Sequence, residues 1–126
     1  RGKAEYAIDA LKTRDFVYLH VEAPDEAAHG GLLKEKIEAI ENFDHKVVGT
    51  IINSLDQIGD CRILVTPDHP TPVAKRTHTR DPVPFVLYDS RCDYASSALA
   101  YSEREAAKTG YKVKGHELMN LLLERP

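Results

Sequence analysis

The sequence predicts an α/β fold with a mainly parallel sheet. Two short apolar runs, at residues 16–21 and 62–66, have the length and β-branched content of buried strands. Between them, from Leu32 to Ile58, apolar residues recur every three or four positions, which is typical of an amphipathic helix. A strand, a helix and a second strand form a βαβ unit. We therefore expect the two strands to be parallel, with a right-handed crossover.

The other predicted elements surround this unit. They are a helix over residues 2–14, a third strand over 84–88, a polar loop over 91–102, and helices over 103–109 and 115–125. The stretch from 32 to 58 is expected to form one long helix, which packs its apolar stripe on the sheet and ends at Gly59.

Length and composition fit a single domain. The 126 residues are 42% hydrophobic and 29% charged, as in ordinary globular proteins. A net charge of −3 provides no basic surface for nucleic acid, and no apolar run approaches the roughly 20 residues of a membrane span. Cys61 and Cys92 stand apart and form no CxxC pair, so we expect free thiols and a cytoplasmic protein.

Each of the first two predicted strands is followed by an aspartate and a histidine. Asp25 and His29 are four positions apart, so they share a face if this segment is helical. Asp68 and His69 are adjacent. Parallel strands end at one edge of a sheet, where open α/β sheets bind their ligands. This coincidence favours a metal site over two surface turns, or over a simple helix N-cap in the case of Asp25.

The loop after the second pair adds further polar groups. His78 lies nine positions after His69, and Lys75 and Arg76 precede it. With His78 the set has two carboxylates and three imidazoles, which suit Mn²⁺, Zn²⁺ or Co²⁺ better than Ca²⁺. Five ligands exceed one tetrahedral site and fit two ions that act together in phosphoryl transfer. Lys75, Arg76 and Thr71 could contact a substrate phosphate, or could simply be solvated loop residues.

Four segments together resemble one enzyme family: DFVYLHVEAPDEAAHGG, KIEAIENFDHKVVG, ILVTPDHPTPV and THTRDPVPFVLY. In order and spacing they resemble the archaeal-type cofactor-independent (2,3-bisphosphoglycerate-independent) phosphoglycerate mutases of the alkaline phosphatase superfamily. The resemblance implies a three-layer, alkaline phosphatase-like fold with a mainly parallel sheet. It also implies a metal-dependent isomerase of glycolysis and gluconeogenesis, which interconverts 3-phosphoglycerate and 2-phosphoglycerate through a phosphoserine.

The resemblance further implies two divalent ions, with Mn²⁺ first and Mg²⁺, Zn²⁺ or Co²⁺ as alternatives. Asp25, His29 and His78 match the ligands of one ion, and Asp68 and His69 match two ligands of the other. The family completes the second site with an aspartate and a nucleophilic serine, which no segment here matches. We therefore expect residues 1–126 to be the C-terminal part of the metal-binding domain. Without the nucleophile segment and the inserted substrate domain it should be inactive.

Two alternatives stay open on the sequence alone. The chain could belong to another phosphomutase or phosphatase of the same superfamily, which a different substrate domain upstream would indicate. It could also be a non-catalytic module stabilised by metal, which the lack of a nucleophilic serine in the parent chain would favour. Under the main interpretation, the expected partner is a small phosphorylated substrate, with no nucleic acid and no membrane.

Overall fold

The computed structural model describes residues 2–123. They form helices and two strands, which confirms a mixed α/β composition. The helices are α1 (Gly2–Leu11), α2 (Ala23–His29), α3 (Leu33–Phe43), α4 (Gly49–Ile52), α5 (Leu55–Ile58), α6 (Glu103–Lys108) and α7 (Leu118–Leu123). A π-helical segment spans Asp44–Val48, a 3₁₀ turn spans Gly115–Glu117, and the strands are β1 (Arg62–Val65) and β2 (Val86–Asp89). The last predicted helix continued to residue 125, and residues 124 and 125 lie outside the described residues.

The chain divides into two compact units. The first comprises the residues up to Gly59 together with Thr71–Thr79, and the second comprises Asp60–Pro70 and the residues from Arg80 onward. The first unit is helical, and its buried apolar side chains are mostly small: Ala4, Ala7, Ile8, Ala27, Ala28 and Val47. The small side chains of Ala27 and Ala28 lie on α2, and this helix packs against α3. No helix within residues 2–123 has the length and apolarity to cross a membrane.

The predicted strand over residues 16–21 is wrong for the part of the chain that the structure describes. The segment is extended but belongs to no sheet there. Its side chains alternate between half-buried and exposed, with Phe16 46% and Tyr18 75% exposed, so it is not buried on both faces. A strand needs hydrogen-bonded neighbours, and among residues 2–123 no strand pairs with this segment. The strand prediction came from the apolar composition of this segment, which does not show whether a second strand is available to pair with it.

The predicted single helix from 32 to 58 is interrupted. The π-helical segment Asp44–Val48 follows α3 directly, and Asn53–Ser54 form a turn between α4 and α5. A π turn has wider i→i+5 bonding, so it rotates the apolar stripe relative to an α-helix. Ile37 and Ile40 are half-exposed, so the expected packing of this stripe on a sheet is not seen among the described residues.

The second unit contains both strands. β1 and β2 are antiparallel, with Arg62 opposite Asp89 and Val65 opposite Val86. The predictions of strands near 62–66 and 84–88 are confirmed, whereas the mainly parallel sheet is not. At one end of the pair the Arg62 guanidinium donates to the Asp89 carboxylate at 2.6 Å. The same guanidinium donates to the Leu121 and Leu122 carbonyls in the last turn of α7.

Candidate metal centre

In the first unit, α2 places Asp25 and His29 on one face. Pro24 lies in the first turn, where its fixed φ suits a helix and its missing N–H costs nothing. The Asp25 Oδ2 and His29 Nε2 atoms are 3.4 Å apart, as expected for residues four positions apart on a helix. The N-cap is Glu22, so the alternative in which Asp25 serves only as a cap is wrong.

His78 meets this pair from the segment Thr71–Thr79 of the same unit. Its Nε2 lies 3.0 Å from the Nε2 of His29 and 3.6 Å from Oδ1 of Asp25. The imidazole centroids are 5.0 Å apart and the rings are tilted by 57°. These side chains are 38–51% exposed, so a dissolved ion can reach them. One carboxylate and two imidazoles, separated by up to 53 positions in the sequence, therefore share one site.

The backbone fixes the tautomer of His29. Its Nδ1 lies 3.0 Å from the carbonyl oxygen of Arg76. Since a carbonyl only accepts hydrogen bonds, Nδ1 carries the proton and donates it, and in the neutral ring Nε2 then has a lone pair. Metal-binding histidines are commonly oriented in this way, through the ring nitrogen that does not bind the ion. Arg76 adopts φ of 52°, an unusual value for a residue other than glycine, and the turn that includes it presents this carbonyl.

The donor set fits a divalent cation. The two Nε2 atoms and the Asp25 carboxylate lie within 3.6 Å of each other, and the His29 nitrogen offers its lone pair to this space. Imidazole nitrogens and one carboxylate oxygen suit Mn²⁺, Zn²⁺ and similar ions. Asp25, His29 and His78 could therefore hold one such ion.

In the second unit, Asp68 and His69 follow the end of β1. The Asp68 carboxylate accepts from the His69 backbone N–H at 3.1 Å, and its other oxygen lies 3.1 Å from His69 Nε2. The Asp68 side chain is 63% exposed and that of His69 is 28% exposed. This pair therefore has residue types that bind metals, and the two adjacent side chains contact each other.

A family model described as "Metalloenzyme superfamily" matches residues 1–125. The chain belongs to this superfamily. Membership indicates the use of a divalent metal, in agreement with the donor set in the first unit.

Several relatives of this chain are named phosphoglycerate mutases. It is 49% identical over 125 residues to a protein from Geobacter sulfurreducens named "Probable 2,3-bisphosphoglycerate-independent phosphoglycerate mutase". It is 47% identical over 127 residues to the "2,3-bisphosphoglycerate-independent phosphoglycerate mutase" of Methanosarcina acetivorans. These matches cover 98% of this chain and 31% and 32% of the relatives. The chain thus spans about a third of the length of the relatives it matches.

A solved structure has a similar backbone. The "Structure of PH0037 protein from Pyrococcus horikoshii" matches with a TM-score of 0.85 and 32% identity. The match covers 96% of this chain and 36% of that chain. Here too the similarity covers nearly all of this chain and about a third of the longer protein.

Lys75 and Arg76 lie in a turn just before His78. Both backbone N–H groups donate to the Pro72 carbonyl at 2.9 Å, and both side chains are exposed. The Arg76 guanidinium lies against Gly31, where a side chain would overlap it. Contact with a substrate stays a prediction for both residues.

Sequence reasoning missed the groups that hold Asp25. Thr71 is only 5% exposed, and its hydroxyl donates to Asp25 Oδ1 at 2.5 Å. The ammonium group of Lys36 on α3 donates to the Thr71 carbonyl at 2.7 Å. Asp25 and Thr71 are 46 positions apart, so no local pattern joins them. In the sequence, the position of Thr71 in the Asp-His-Pro-Thr-Pro motif suggested a contact with a substrate phosphate, and not a hydrogen bond to Asp25.

Charges are also concentrated at the end of β2 in the second unit. Hydrogen bonds from Arg91, and next from Arg62, hold the pKa of Asp89 well below its usual range. Burial, and then the nearby carboxylates of Asp60 and Asp89, raise the pKa of the Cys61 thiol. A thiol with a raised pKa is a poor nucleophile, so Cys61 is not suited to covalent catalysis.

Proposed function

We propose that this chain is the C-terminal, metal-binding part of a 2,3-bisphosphoglycerate-independent phosphoglycerate mutase. The complete enzyme would interconvert 3-phosphoglycerate and 2-phosphoglycerate. The convergence of Asp25, His29 and His78 carries the proposal, because phosphoryl transfer benefits from a fixed cationic centre. The names of relatives 47–49% identical to this chain support this particular reaction over others of a metalloenzyme.

The site would hold two divalent ions, and Mn²⁺ is the first choice. Asp25, His29 and His78 would bind one, while Asp68 and His69 would supply two ligands of the other. Divalent ions in such sites neutralise phosphoryl oxygens and orient the transferred group. The proton on His29 Nδ1, held by the Arg76 carbonyl, keeps Nε2 available as a ligand. Lys75 and Arg76 would meet the negative charges of the phosphoglycerate.

The nucleophilic serine would lie outside these 126 residues. The described hydroxyls support this, because several already serve the backbone. Ser54 donates to the Thr50 carbonyl, Ser90 accepts from the Cys61 N–H, Ser96 accepts from the Ala98 N–H, and Ser102 caps α6 by accepting from the Glu105 N–H. A serine nucleophile needs an activating partner and access to substrate instead.

We also propose a fold for the complete domain and a cellular location for the protein. Residues 1–126 would complete a three-layer, alkaline phosphatase-like domain, in which the extended segment 16–21 gains strand partners from the rest of the protein. Its exposed apolar side chains support this arrangement. Cys61 and Cys92 are free thiols, which supports a cytoplasmic location. The net charge of −3 gives no reason to expect binding to nucleic acid.

An enolase-coupled assay on the full-length protein with Mn²⁺ tests the reaction. We expect turnover of 3-phosphoglycerate in the wild type and nearly complete loss in His78→Ala and in Asp68→Ala. Ligands of a shared centre act as a unit, so the double variant should lose little more than either single one. His45→Ala, in the π-helical segment, is the matched control and should keep its activity.

Other outcomes distinguish the alternatives. Hydrolysis of phosphate esters without mutase turnover would favour a phosphatase of the superfamily. Metal-dependent stabilisation without turnover of any phosphate ester would favour a non-catalytic module. Full activity in His78→Ala, or turnover by the isolated 126 residues, would contradict the proposed assignment of residues.

A further inference from the structure

We infer that Thr71 and Lys36 are positioning residues for the metal-binding carboxylate of Asp25. This inference rests on the proposed metal role of Asp25 and goes beyond it, because neither residue is a ligand in that proposal. The observation that carries it is a chain of two short hydrogen bonds within the first unit. Lys36 Nζ donates to the Thr71 carbonyl at 2.7 Å, and the Thr71 hydroxyl donates to Asp25 Oδ1 at 2.5 Å.

The burial of Thr71 makes this contact effective. The residue is 5% exposed, whereas the Asp25 side chain is 38% exposed and faces the two histidines. A buried donor has little freedom to rotate toward water, so its hydroxyl holds the carboxylate in one orientation. Without this donor, a carboxylate on a helix surface can adopt several rotamers, and only some of them point at His29 and His78.

The hydroxyl contact also affects how the carboxylate can bind an ion. Oδ1 accepts from Thr71 and lies 3.6 Å from the Nε2 of His78, while Oδ2 lies 3.4 Å from the Nε2 of His29. Each carboxylate oxygen therefore faces one imidazole, and the Thr71 hydroxyl fixes which oxygen faces which ring. Groups that orient a ligand in this way commonly change metal affinity by about 10–100-fold when they are removed.

Lys36 acts one step further from the site. Its ammonium group crosses from α3 to the backbone of Thr71, so the position of the hydroxyl depends on the helix that follows α2. Proline on either side of Thr71 restricts the backbone, and the lysine fixes the carbonyl between them. We expect loss of Lys36 to have the same direction of effect as loss of the Thr71 hydroxyl, with a smaller size.

Direct Mn²⁺ binding tests the inference without relying on activity. Free Mn²⁺ is measured by its electron paramagnetic resonance signal during titration of the full-length protein. An Asp68→Ala background disables the second site, so the remaining affinity reports the Asp25 site. We expect Thr71→Val, which keeps shape and removes the hydroxyl, to raise the Kd by about 10–100-fold. Thr71→Ser keeps the hydroxyl, so its Kd should stay within about threefold of the starting value. Lys36→Met should raise the Kd by a few fold.

The outcomes separate the two proposals. Equal Kd values for the starting protein and Thr71→Val would overturn the positioning role and leave the metal site intact. Equal weakening by Thr71→Ser and Thr71→Val would also overturn it, because the serine keeps the hydroxyl. No Mn²⁺ binding by the protein with Thr71 and Asp25 intact would overturn the metal site itself. If Thr71→Val does not fold, an unchanged Kd in Lys36→Met would overturn the inference, and a raised one would support it.

Discussion

The two Asp/His pairs have the same residue types and differ in how they are held. Asp25 and His29 are supported by groups far along the chain, namely the Thr71 hydroxyl, the Arg76 carbonyl and the His78 ring. Asp68 and His69 contact each other, and the aspartate is mostly exposed. In the first unit the orientation of the ligands is built into the fold. In the second, the mostly exposed Asp68 carboxylate is held by contacts with the neighbouring His69, in the loop that follows β1.

Because of this difference, we expect the two sites to differ in how well their ligands are oriented before an ion binds. A carboxylate and an imidazole that are already oriented lose little conformational freedom on binding, whereas an exposed aspartate must be ordered at a cost. The three-residue group in the first unit should therefore bind first and more tightly. The Asp68–His69 pair, whose aspartate is mostly exposed, should contribute less.

The largest expected effect is on stabilisation by metal. Mn²⁺ at about 100 times its Kd should stabilise the full-length protein by roughly 2.7 kcal/mol. Asp25→Ala should remove most of this stabilisation, and Asp68→Ala should reduce it less. Thermal melts with and without Mn²⁺, in wild type and both variants, measure the difference.

His116→Ala, in the 3₁₀ turn of the second unit, serves as a histidine control and should leave the Mn²⁺ shift unchanged. Equal metal shifts in wild type and Asp25→Ala would contradict the ranking of the two sites. A larger loss in Asp68→Ala than in Asp25→Ala would reverse it.

The sequence predicted what depends on local spacing. The interval between Asp25 and His29 predicted a shared helical face, and the structure has it. The apolar run at 62–66 predicted a strand, and β1 lies there. Local pattern failed where a partner decides the outcome. Residues 16–21 have the composition of a buried strand. Strand pairing depends on two segments, however, and no other segment of residues 2–123 pairs with this one.

The supporting contacts of the candidate site were beyond sequence reasoning for the same reason. Thr71 meets Asp25 across 46 positions and Arg76 meets His29 across 47. The backbone carbonyl of Arg76 has no signature in the sequence, because every residue has one. The chemistry of a single side chain can be read from its type, but the group that orients it is known only when the chain has folded.

A second prediction concerns the turn that presents the Arg76 carbonyl. Gly31 has φ of 72°, and a Cβ there would overlap the Arg76 guanidinium. Gly31→Ala should cost about 1–2 kcal/mol, because the left-handed region disfavours a side chain. It should also weaken Mn²⁺ binding through the displaced arginine. Denaturant unfolding and Mn²⁺ titration measure the two effects.

Gly49→Ala is the matched control for this substitution. Gly49 has φ of −58°, and a Cβ there would meet only ordinary contacts. Alanine should be neutral or stabilise by up to about 1 kcal/mol, since it favours helix more than glycine does. A Gly31→Ala protein with unchanged stability and Mn²⁺ affinity would show that this turn does not support the site.

A third prediction concerns acid stability in the second unit. Because Arg91 and Arg62 lower the pKa of Asp89, the folded state favours its charged form. The resulting stability is fully present above the unfolded pKa near 3.8, and is lost as the pH falls through the lower folded pKa. Asp89→Asn should therefore be less stable than wild type at pH 7, with a difference that shrinks below about pH 4. Urea unfolding at pH 7 and at pH 3 measures it, and a difference that grows on acidification would contradict the assignment.

The smallest expected effect comes from Tyr101, which supports the strand that leads to Asp68 and His69. Its hydroxyl donates to the Pro84 carbonyl at 3.1 Å and to the Val65 carbonyl, at the end of β1, at 3.4 Å. Both bonds are long and the ring is half-exposed, so Tyr101→Phe should cost only about 0.5–1 kcal/mol at pH 7. Burial, and next Glu103, raise the pKa of Tyr101 to about 12, so its stabilising effect is present below the unfolded pKa near 10 and declines as the pH rises toward 12. The wild type should thus lose its stability advantage over Tyr101→Phe between about pH 10 and pH 12. Tyr111→Phe is the control.

The Tyr101 hydroxyl also bears on the second metal site. Mn²⁺ affinity measured in an Asp25→Ala background should fall slightly in Tyr101→Phe if the hydroxyl helps to position the Asp68–His69 loop. A larger effect on that affinity than on stability would mean that the second site is held as firmly as the first.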